Sequence, residues 1–512
     1  MAGDPQILVL DAGTTSTRAI VFAPDGRVVA LAQRDLAQFY PEPGWVEHDA
    51  AEIWDATLAC AREAIERAGG PEEISCIGIT NQRETVIAWD KATSEPLHRA
   101  IVWQDRRTAE FCSELREEGW EPKVQASTGL LLDPYFSATK MRWLLGNLPA
   151  VREARAAGRL AFGTVESWLI FKLTGGAHLS DASNASRTSL LPLDGARWDP
   201  ALCDLFGVPS SALPEVTDSA GQLGTALPEL LGRAIPITGV AGDQQAATIG
   251  QGCLTPGETK ATFGTGAFVL ANMGSRVPQS RHRLLGTVLW QLGGQRAYAL
   301  EGSVFVAGSM IQWLRDSLGL IASAAETADL AASVPDSGGV VIVPALAGLG
   351  APHWRPDARA SMTGLSFATG RAQIVRAALE AMTMQIRDLA EAFAADGAEW
   401  RRLKIDGGMS ANGWMAQDLA DILALPVERP DFVETTALGA AMLAGVGAGL
   451  FTDLPAAAGA MRGRLQEFAP VRDAAWRAHR LGQWREALAA NLSPPLAGDI
   501  SRLGGAEPFD HR

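Results

Sequence analysis

Two short segments of this chain carry the residue types that hold a phosphate. Gly13-Thr14-Thr15-Ser16 follows an apolar run at 7–10 and Asp11, and it leads into a second apolar run at 19–22. Phe263-Gly264-Thr265-Gly266 sits in the same way between runs at 258–262 and 267–270. Glycine lets backbone come close to an anion, and neighbouring hydroxyls and amides donate protons to its oxygens. Asp11, at the end of its run, can meet a magnesium ion through the waters that this ion keeps. An ordinary β-hairpin with a polar turn would read the same at either segment alone. The recurrence of strand, Gly/Thr turn and strand in the second half weighs against chance.

These turns need strands to position them, and the chain supplies strands and helices in alternation. Asp25-Gly26 reverses the chain into a third strand at 28–32, and Asp49 with Glu52 three residues on predicts a helix N-terminus, the helix reaching Gly69-Gly70. A buried strand at 74–79 runs into the polar loop Thr80-Asn81-Gln82-Arg83-Glu84, and strands near 86–89 and 101–103 follow. Polar residues just past a strand's end are placed as binding sites usually are. In the second half a strand at 298–303 has a polar end, and another runs into Asp406-Gly407-Gly408. The helix expected over 371–395 puts Ile374, Ala377, Ala378, Leu379 and Met382 on one stripe, which is core packing. Gly445-Val446-Gly447-Ala448-Gly449 follows a helical run instead of a strand and is rejected as a dinucleotide turn.

The pattern predicts an α/β protein of two related domains facing one cleft. The expected limits are 1–252, 253–490 and a loose tail at 491–512 that holds Pro494, Pro495 and Pro508. A chain of 512 residues is too long for one core. Its net charge of −14 argues against nucleic acid or an anionic membrane as the main partner. Five cysteines without a Cys-x-x-Cys pair read as reduced thiols of a cytosolic protein. The chain enters a strand within its first few residues and has no apolar stretch of spanning length, so neither a signal peptide nor an integral membrane segment is expected. Seven scattered histidines show no zinc spacing.

A more specific pattern emerges when the polar motifs are taken in order. Asp11-x-Gly-Thr-Thr-Ser, Asn81-Gln-Arg-Glu-Thr, Ile101-Val-Trp-Gln, Asp133-Pro-Tyr-Phe-Ser, Asn184-Ala-Ser-Arg-Thr, Gly242-Asp-Gln-Gln-Ala, Phe263-Gly-Thr-Gly and Asp406-Gly-Gly follow one another along the chain. So arranged, the chain resembles the FGGY carbohydrate kinases, and within them the branch that phosphorylates glycerol. The stretch Tyr135-Phe-Ser-Ala-Thr-Lys140-Met-Arg-Trp143 and the segment 364–380 resemble the two family signatures. The resemblance implies two ribonuclease-H-like domains of the actin/hexokinase-like fold around a central cleft. It implies ATP-dependent phosphorylation of glycerol with Mg2+, in the cytoplasm, and leaves room for a homo-oligomer, a dimer or a tetramer. Another polyol or ketose kinase of the same fold, acting on erythritol or xylulose, and a non-catalytic actin-like ATPase are the rival readings.

By that resemblance Arg83, Glu84, Trp103, Tyr135, Asp243, Gln244 and Phe268 line the triol site, with Asp243 as general base. The residue chemistry agrees: Arg83 only donates, ionised Glu84 and Asp243 only accept, and glycerol hydroxyls do both. Without the other motifs, Arg83–Glu84 would read as a surface ion pair, Trp103 and Phe268 as core packing, and Asp243 as a helix N-cap. Thr14, Thr15, Ser16, Arg18 and Thr265 match phosphate contacts. Gly308, Gln312, Gly408 and Asn412 match the remaining ATP contacts, and Asp11 the metal position. Departures are few: Ala12 stands where many relatives have Gln, and Gly413-Trp414 follows Asn412 where many have Asn-Phe types. Glu229-Leu-Leu-Gly-Arg-Ala-Ile lacks the Gly-Gly-Lys-Gly-Gly-Thr-Arg loop through which some bacterial glycerol kinases bind fructose 1,6-bisphosphate.

Overall fold

The computed structural model describes residues 5–432 and 434–492. Two mixed sheets hold the fold. The first contains β1 (Gln6–Ala12), β2 (Ser16–Phe22), β3 (Val28–Asp35), β4 (Ile74–Asn81), β5 (Ala220–Ala226) and β6 (Ile235–Gly242), in the order β5-β6-β4-β1-β2-β3. The second contains β7 (Glu258–Phe263), β8 (Ala267–Gly274), β9 (Leu285–Leu292), β10 (Gln295–Val304), β11 (Arg402–Asp406), β12 (Val427–Pro430) and β13 (Leu465–Phe468). Its order is β9-β10-β8-β7-β11-β12-β13. Both sheets repeat one plan. A hairpin opens each half, β1/β2 and β7/β8, and its first strand pairs in parallel with a later one, β4 and β11, which pairs in parallel with a third, β6 and β12. This is the two-domain fold expected.

The parallel strands are apolar because both faces are covered. Residues 7–12 of β1 are all buried, and Gly26 (φ +82°) takes the left-handed turn between β2 and β3, its N–H bonded to Ala23 O at 2.9 Å. The first helix, α1 (Ala50–Arg67), starts where Asp49 accepts from the N–H groups of Ala51 and Glu52. The strand expected to stop at 79 continues through Asn81, because Ala12 and Gly242 flank it in register. The long helix α4 (Arg371–Ala395) has the expected bounds.

Two other helices join the halves. α2 (Asp243–Gly250) follows β6, and α6 (Thr435–Gly447) belongs by sequence to the second half yet packs on the first sheet. Its Ala/Gly composition is what lets it approach: Ala440 O would lie 2.6 Å from a β-carbon at Gly78, and Thr238 Oγ donates to Ala444 O at 2.8 Å. Gly250 faces Thr435 and Gly439 faces Ala246, each so closely that no side chain would fit. Between α2 and α6 in sequence lie α3 (Gly308–Asp316), α4 and α5 (Gly413–Leu423); the final helix, α7 (Ala474–Leu492), passes the expected tail boundary by two residues. The rest of the expected tail lies outside the described residues. No helix among the described residues is long and apolar enough to cross a membrane, and the five cysteines are free and buried.

Candidate active site

Three parallel strands deliver the polar residues to one place. Asp11 is in register with Thr80, and Asn81 with Gly242, so Asp11, Arg83 and Asp243 emerge from the same edge of the sheet. The insertion between β4 and β5 adds Trp103, Tyr135 and Arg187, and β10 of the second half adds Glu301.

Arg83 and Glu84 are buried at 3% and 1% exposure, so the surface ion pair is ruled out. Glu84 has φ +60°, and Thr85 N–H bonds to Arg83 O at 2.7 Å, closing a three-residue turn around it. The charges then alternate. Glu84 Oε1 accepts from Arg187 Nε at 2.6 Å, and Arg187 Nη2 donates to Glu301 Oε1 at 3.0 Å. Glu301 also takes both terminal nitrogens of Arg83, at 2.6 and 3.2 Å, and Arg83 Nε lies 3.2 Å from Asp243 Oδ1. Burial by itself would raise the pKa of Glu301, but Arg187 and Arg83 pull it down to about 2. Burial raises Glu84 and Asp243 above the usual carboxylate range, with Arg83 opposing in both.

Asp243 differs from the other two acids in access. Its side chain is 33% exposed, against 2% for Glu84 and 0% for Glu301. It is the first residue of α2 rather than its N-cap, which is Gly242, and its Oδ1 accepts from the N–H of Gln244 at 2.6 Å. It is therefore the most accessible of the three carboxylates. Gln244 is nearly buried, and its amide oxygen accepts from Lys260 Nζ at 2.5 Å, which leaves its NH2 for a ligand.

Trp103 stands between Tyr135 and Phe268, edge-on to each with centroids 5.7 and 6.3 Å away, so the three rings form one apolar wall. Its Nε1 donates to Thr14 Oγ at 3.0 Å, which ties the wall to the first turn. In that turn Gly13 N–H bonds to Ser16 O at 3.0 Å, Thr15 is exposed, and Thr14 and Ser16 are half-buried. Arg18 is shared by Asp11 (2.9 Å) and Glu434 (2.5 Å). Two carboxylates thus engage the guanidinium expected on phosphate, and one of the two oxygens of Asp11 is taken.

The second turn gathers another set. Gly264 and Thr265 are exposed, Gly264 O accepts from Gly308 N–H at 2.9 Å, and Thr265 O accepts from Ala307 N–H at the same distance. The start of α3 is thereby fixed on the turn, with Gln312 exposed one helical turn on. Thr262 pairs with Asp406, and Gly407 (φ +83°) follows so closely that a β-carbon would lie 2.5 Å from Phe263 O. A β-carbon at the exposed Gly408 would meet no protein atom within 4 Å. Gly264, Thr265, Gly308 and Gly408 thus share one open rim. Asn412 also has a structural duty: it caps α5 by accepting from Met415 N–H at 2.9 Å and donates to Thr327 at 2.9 Å.

Sequence reasoning missed Glu301, Arg187 and Lys260 as site residues. Arg187 stood inside the quoted Asn184-Ala-Ser-Arg-Thr motif and Glu301 in the strand noted for its polar end, so both could have been found. Among the described residues no group of three or more His, Cys, Asp and Glu side chains could cage a metal ion, so a cation here would lean on Asp11 and a ligand's own oxygens.

Similarity to known proteins agrees with this geometry. The N-terminal domain of the FGGY family of carbohydrate kinases matches residues 6–250, and its C-terminal domain matches 259–448. The chain is 54% identical over 487 residues to a glycerol kinase of Rhodospirillum rubrum, covering 94% of this chain and 98% of that protein. It is 52% identical over 496 residues to one of Methylobacterium nodulans, covering 96% and 99%. The crystal structure of Plasmodium falciparum glycerol kinase with ADP superposes with a TM-score of 0.91 at 36% identity, over 96% of this chain and 99% of that one. A xylulose kinase of Rhodospirillum rubrum gives 0.84 at 27%, over 95% and 99%. With both domains matched, their shared strand plan in place and the polar residues at one edge, the chain belongs to the FGGY family of carbohydrate kinases.

Proposed function

We propose that this chain transfers the γ-phosphate of ATP to a terminal hydroxyl of glycerol in the cytoplasm, giving sn-glycerol 3-phosphate and ADP. The observation that carries the substrate is the pairing of a donor, Arg83, and acceptors, Glu84 and Asp243, with the wall of Trp103, Tyr135 and Phe268. Glycerol offers hydroxyls on one side and a carbon face on the other, which is what such a pocket recognises. The glycerol kinases similar over nearly the whole chain support the same reading.

Arg83 and Glu84 hold two hydroxyls. Asp243 takes the proton of the third as its oxygen attacks the γ-phosphorus and the bond to the ADP oxygen breaks. Little covalent work falls to the protein, so positioning and charge supply most of the catalysis. The turns at 13–16 and 264–266 hold the phosphates, and the rim at Gly308 and Gly408 takes the nucleoside against backbone. Gln312 and Asn412 belong to the same nucleotide side. A magnesium ion bound with ATP would neutralise charge on its phosphates, with Asp11 as the residue to hold it. The buried Asp11 carboxylate, which repels Asp243, suits a hydrated dication. Domains at 1–252 and 253–490 close over both substrates and exclude water.

ADP release measured with glycerol, 1,2-propanediol, erythritol and xylulose tests the reading. Loss of a hydroxyl strands buried polar groups at about 1–3 kcal/mol each, so glycerol should exceed 1,2-propanediol at least about tenfold in kcat/KM. If erythritol or xylulose is the best substrate, the glycerol assignment fails and another polyol or ketose kinase takes its place.

A further inference from the structure

The signature stretch 135–143 contributes Tyr135 to the pocket, and its lysine has had no part so far. Lys140 lies on the helix Ser137–Asn147 and is 1% exposed. Its Nζ faces three carbonyl oxygens: Tyr135 at 2.5 Å, Phe136 at 3.2 Å and Glu84 at 3.3 Å. Among the described residues no carboxylate forms a salt bridge with it. An ammonium has three N–H groups, and here each has one acceptor. The oxygen of Glu84 also accepts from Ser137 Oγ at 3.1 Å. Glu84 is the residue at φ +60°, a conformation that a β-carbon makes unfavourable and that persists only where its surroundings hold it.

We propose that Lys140 is a positioning residue for the polyol: its ammonium clamps the strained turn of Glu84 to the Tyr135 segment, and polyol affinity depends on its keeping all three protons. The proposal rests on the reading of this site as a polyol pocket. A neutral amine has two N–H groups, so deprotonation removes one of the three bonds to these buried carbonyls and loosens the clamp on the turn. The geometry is supported by the titration expected of the group. Burial lowers the pKa of Lys140 to about 8, with Glu84, Asp105 and Asp133 opposing. The other groups nearby keep their state through this range: burial pushes the Cys112 thiol to about 12 and the Tyr135 hydroxyl higher still. Burial also lowers Lys260, which contacts Gln244 and Thr262 and must be separated by mutation.

The sign follows directly. The clamp is essentially complete at pH 7 and below, and is lost as pH rises through about 8. The KM for glycerol should therefore rise about tenfold between pH 7 and 9.5, the size of one buried bond lost, while kcat and the KM for ATP change little. Lys140→Met should show the raised glycerol KM already at pH 7 and no further alkaline rise, whereas Lys260→Met should keep the rise. If Lys140→Met does not fold, 13Cε-labelled lysine NMR on the unmodified protein replaces it. There are six lysines to resolve, and one should titrate near pH 8 in step with glycerol affinity. A glycerol KM that stays flat to pH 9.5, or an alkaline rise that survives Lys140→Met, overturns the proposal, as does the absence of a lysine titrating in step. Failure to phosphorylate glycerol at any pH sinks the function proposed above instead. The same pH series is then run on the polyol that is phosphorylated, because the clamped segments are unchanged.

Discussion

Trp103 donates its indole N–H to the hydroxyl of Thr14 at 3.0 Å, so one bond joins the aromatic wall of Trp103, Tyr135 and Phe268 to the turn at 13–16. With the indole N–H taken by one of its lone pairs, the Thr14 hydroxyl can still turn its proton towards a phosphate oxygen. Among the described residues its one acceptor is Gln82 Oε1, at the long distance of 3.5 Å. Trp103→Phe keeps an aromatic wall and loses the bond. We expect the KM values of glycerol and ATP to rise together, by roughly two- to tenfold for a bond worth about 0.5–1.5 kcal/mol. Thr14→Val and the double variant complete a cycle, and a coupling near zero would show that the two halves of the site do not communicate through this pair.

Asp243→Asn preserves shape and hydrogen bonding but cannot accept a proton. Turnover should fall about 10²-fold or more while ATP still binds. Burial raises the pKa of Asp243, with Arg83 opposing. The acid limb of the wild-type rate should therefore lie above the usual aspartate range, activity being lost as pH falls through that raised value. Near wild-type turnover in the Asn variant would remove Asp243 from the base role.

Glu301→Gln leaves Arg83 and Arg187 buried with too little negative charge. Breaking a buried pair on one side costs about 3–5 kcal/mol, so the thermal midpoint should fall clearly and the glycerol KM should rise. The pKa of Glu301 is drawn below its ordinary 4.5 to about 2. Its stabilisation is therefore complete above about pH 4.5 and is lost as pH falls towards 2. A Gln variant with an unchanged midpoint would show that the arginines find other partners.

Gly439→Ala tests the crossing of α2 and α6. The new methyl group would run into Ala246 O, and overpacking of this kind costs about 1–3 kcal/mol. Thermal melting should show the loss. Because these helices connect the two sheets, solution scattering with both substrates bound should also show less compaction than the wild type.

Fructose 1,6-bisphosphate should not inhibit this enzyme, because residues 229–235 lack the glycine-rich loop. Saturable inhibition in the glycerol assay at constant free magnesium would place an effector site on another surface.

Much of the architecture could be read from local signals. The strand–turn–strand hairpins, the Asp49 cap and the period of residues 371–395 are set by neighbours in sequence, and the structure has each of them. The pairing within the charge chain could not be read this way, although its residues lie in segments that local signals mark. Glu301 meets Arg83 and Arg187 only because β10 and the insertion after β4 come together in space, and no local pattern encodes that meeting. Asn412 shows the opposite difficulty: a residue type suited to a ribose is equally suited to a helix cap, and the cap was not read from the sequence. The strained turn at Glu84 was hidden for a similar reason, since a non-glycine residue gives no warning that its φ is positive.

Glu301 also bears on how this chain could be divided. The two sheets follow one plan, and a cut between residues 250 and 258 would look harmless on a strand diagram. The first fragment would nevertheless carry two buried arginines whose shared counter-ion travels with the second. Neither piece should work or persist in a cell by itself. Co-expressed, they should recover turnover only as far as they associate, because the two repeated halves share one buried charge cluster.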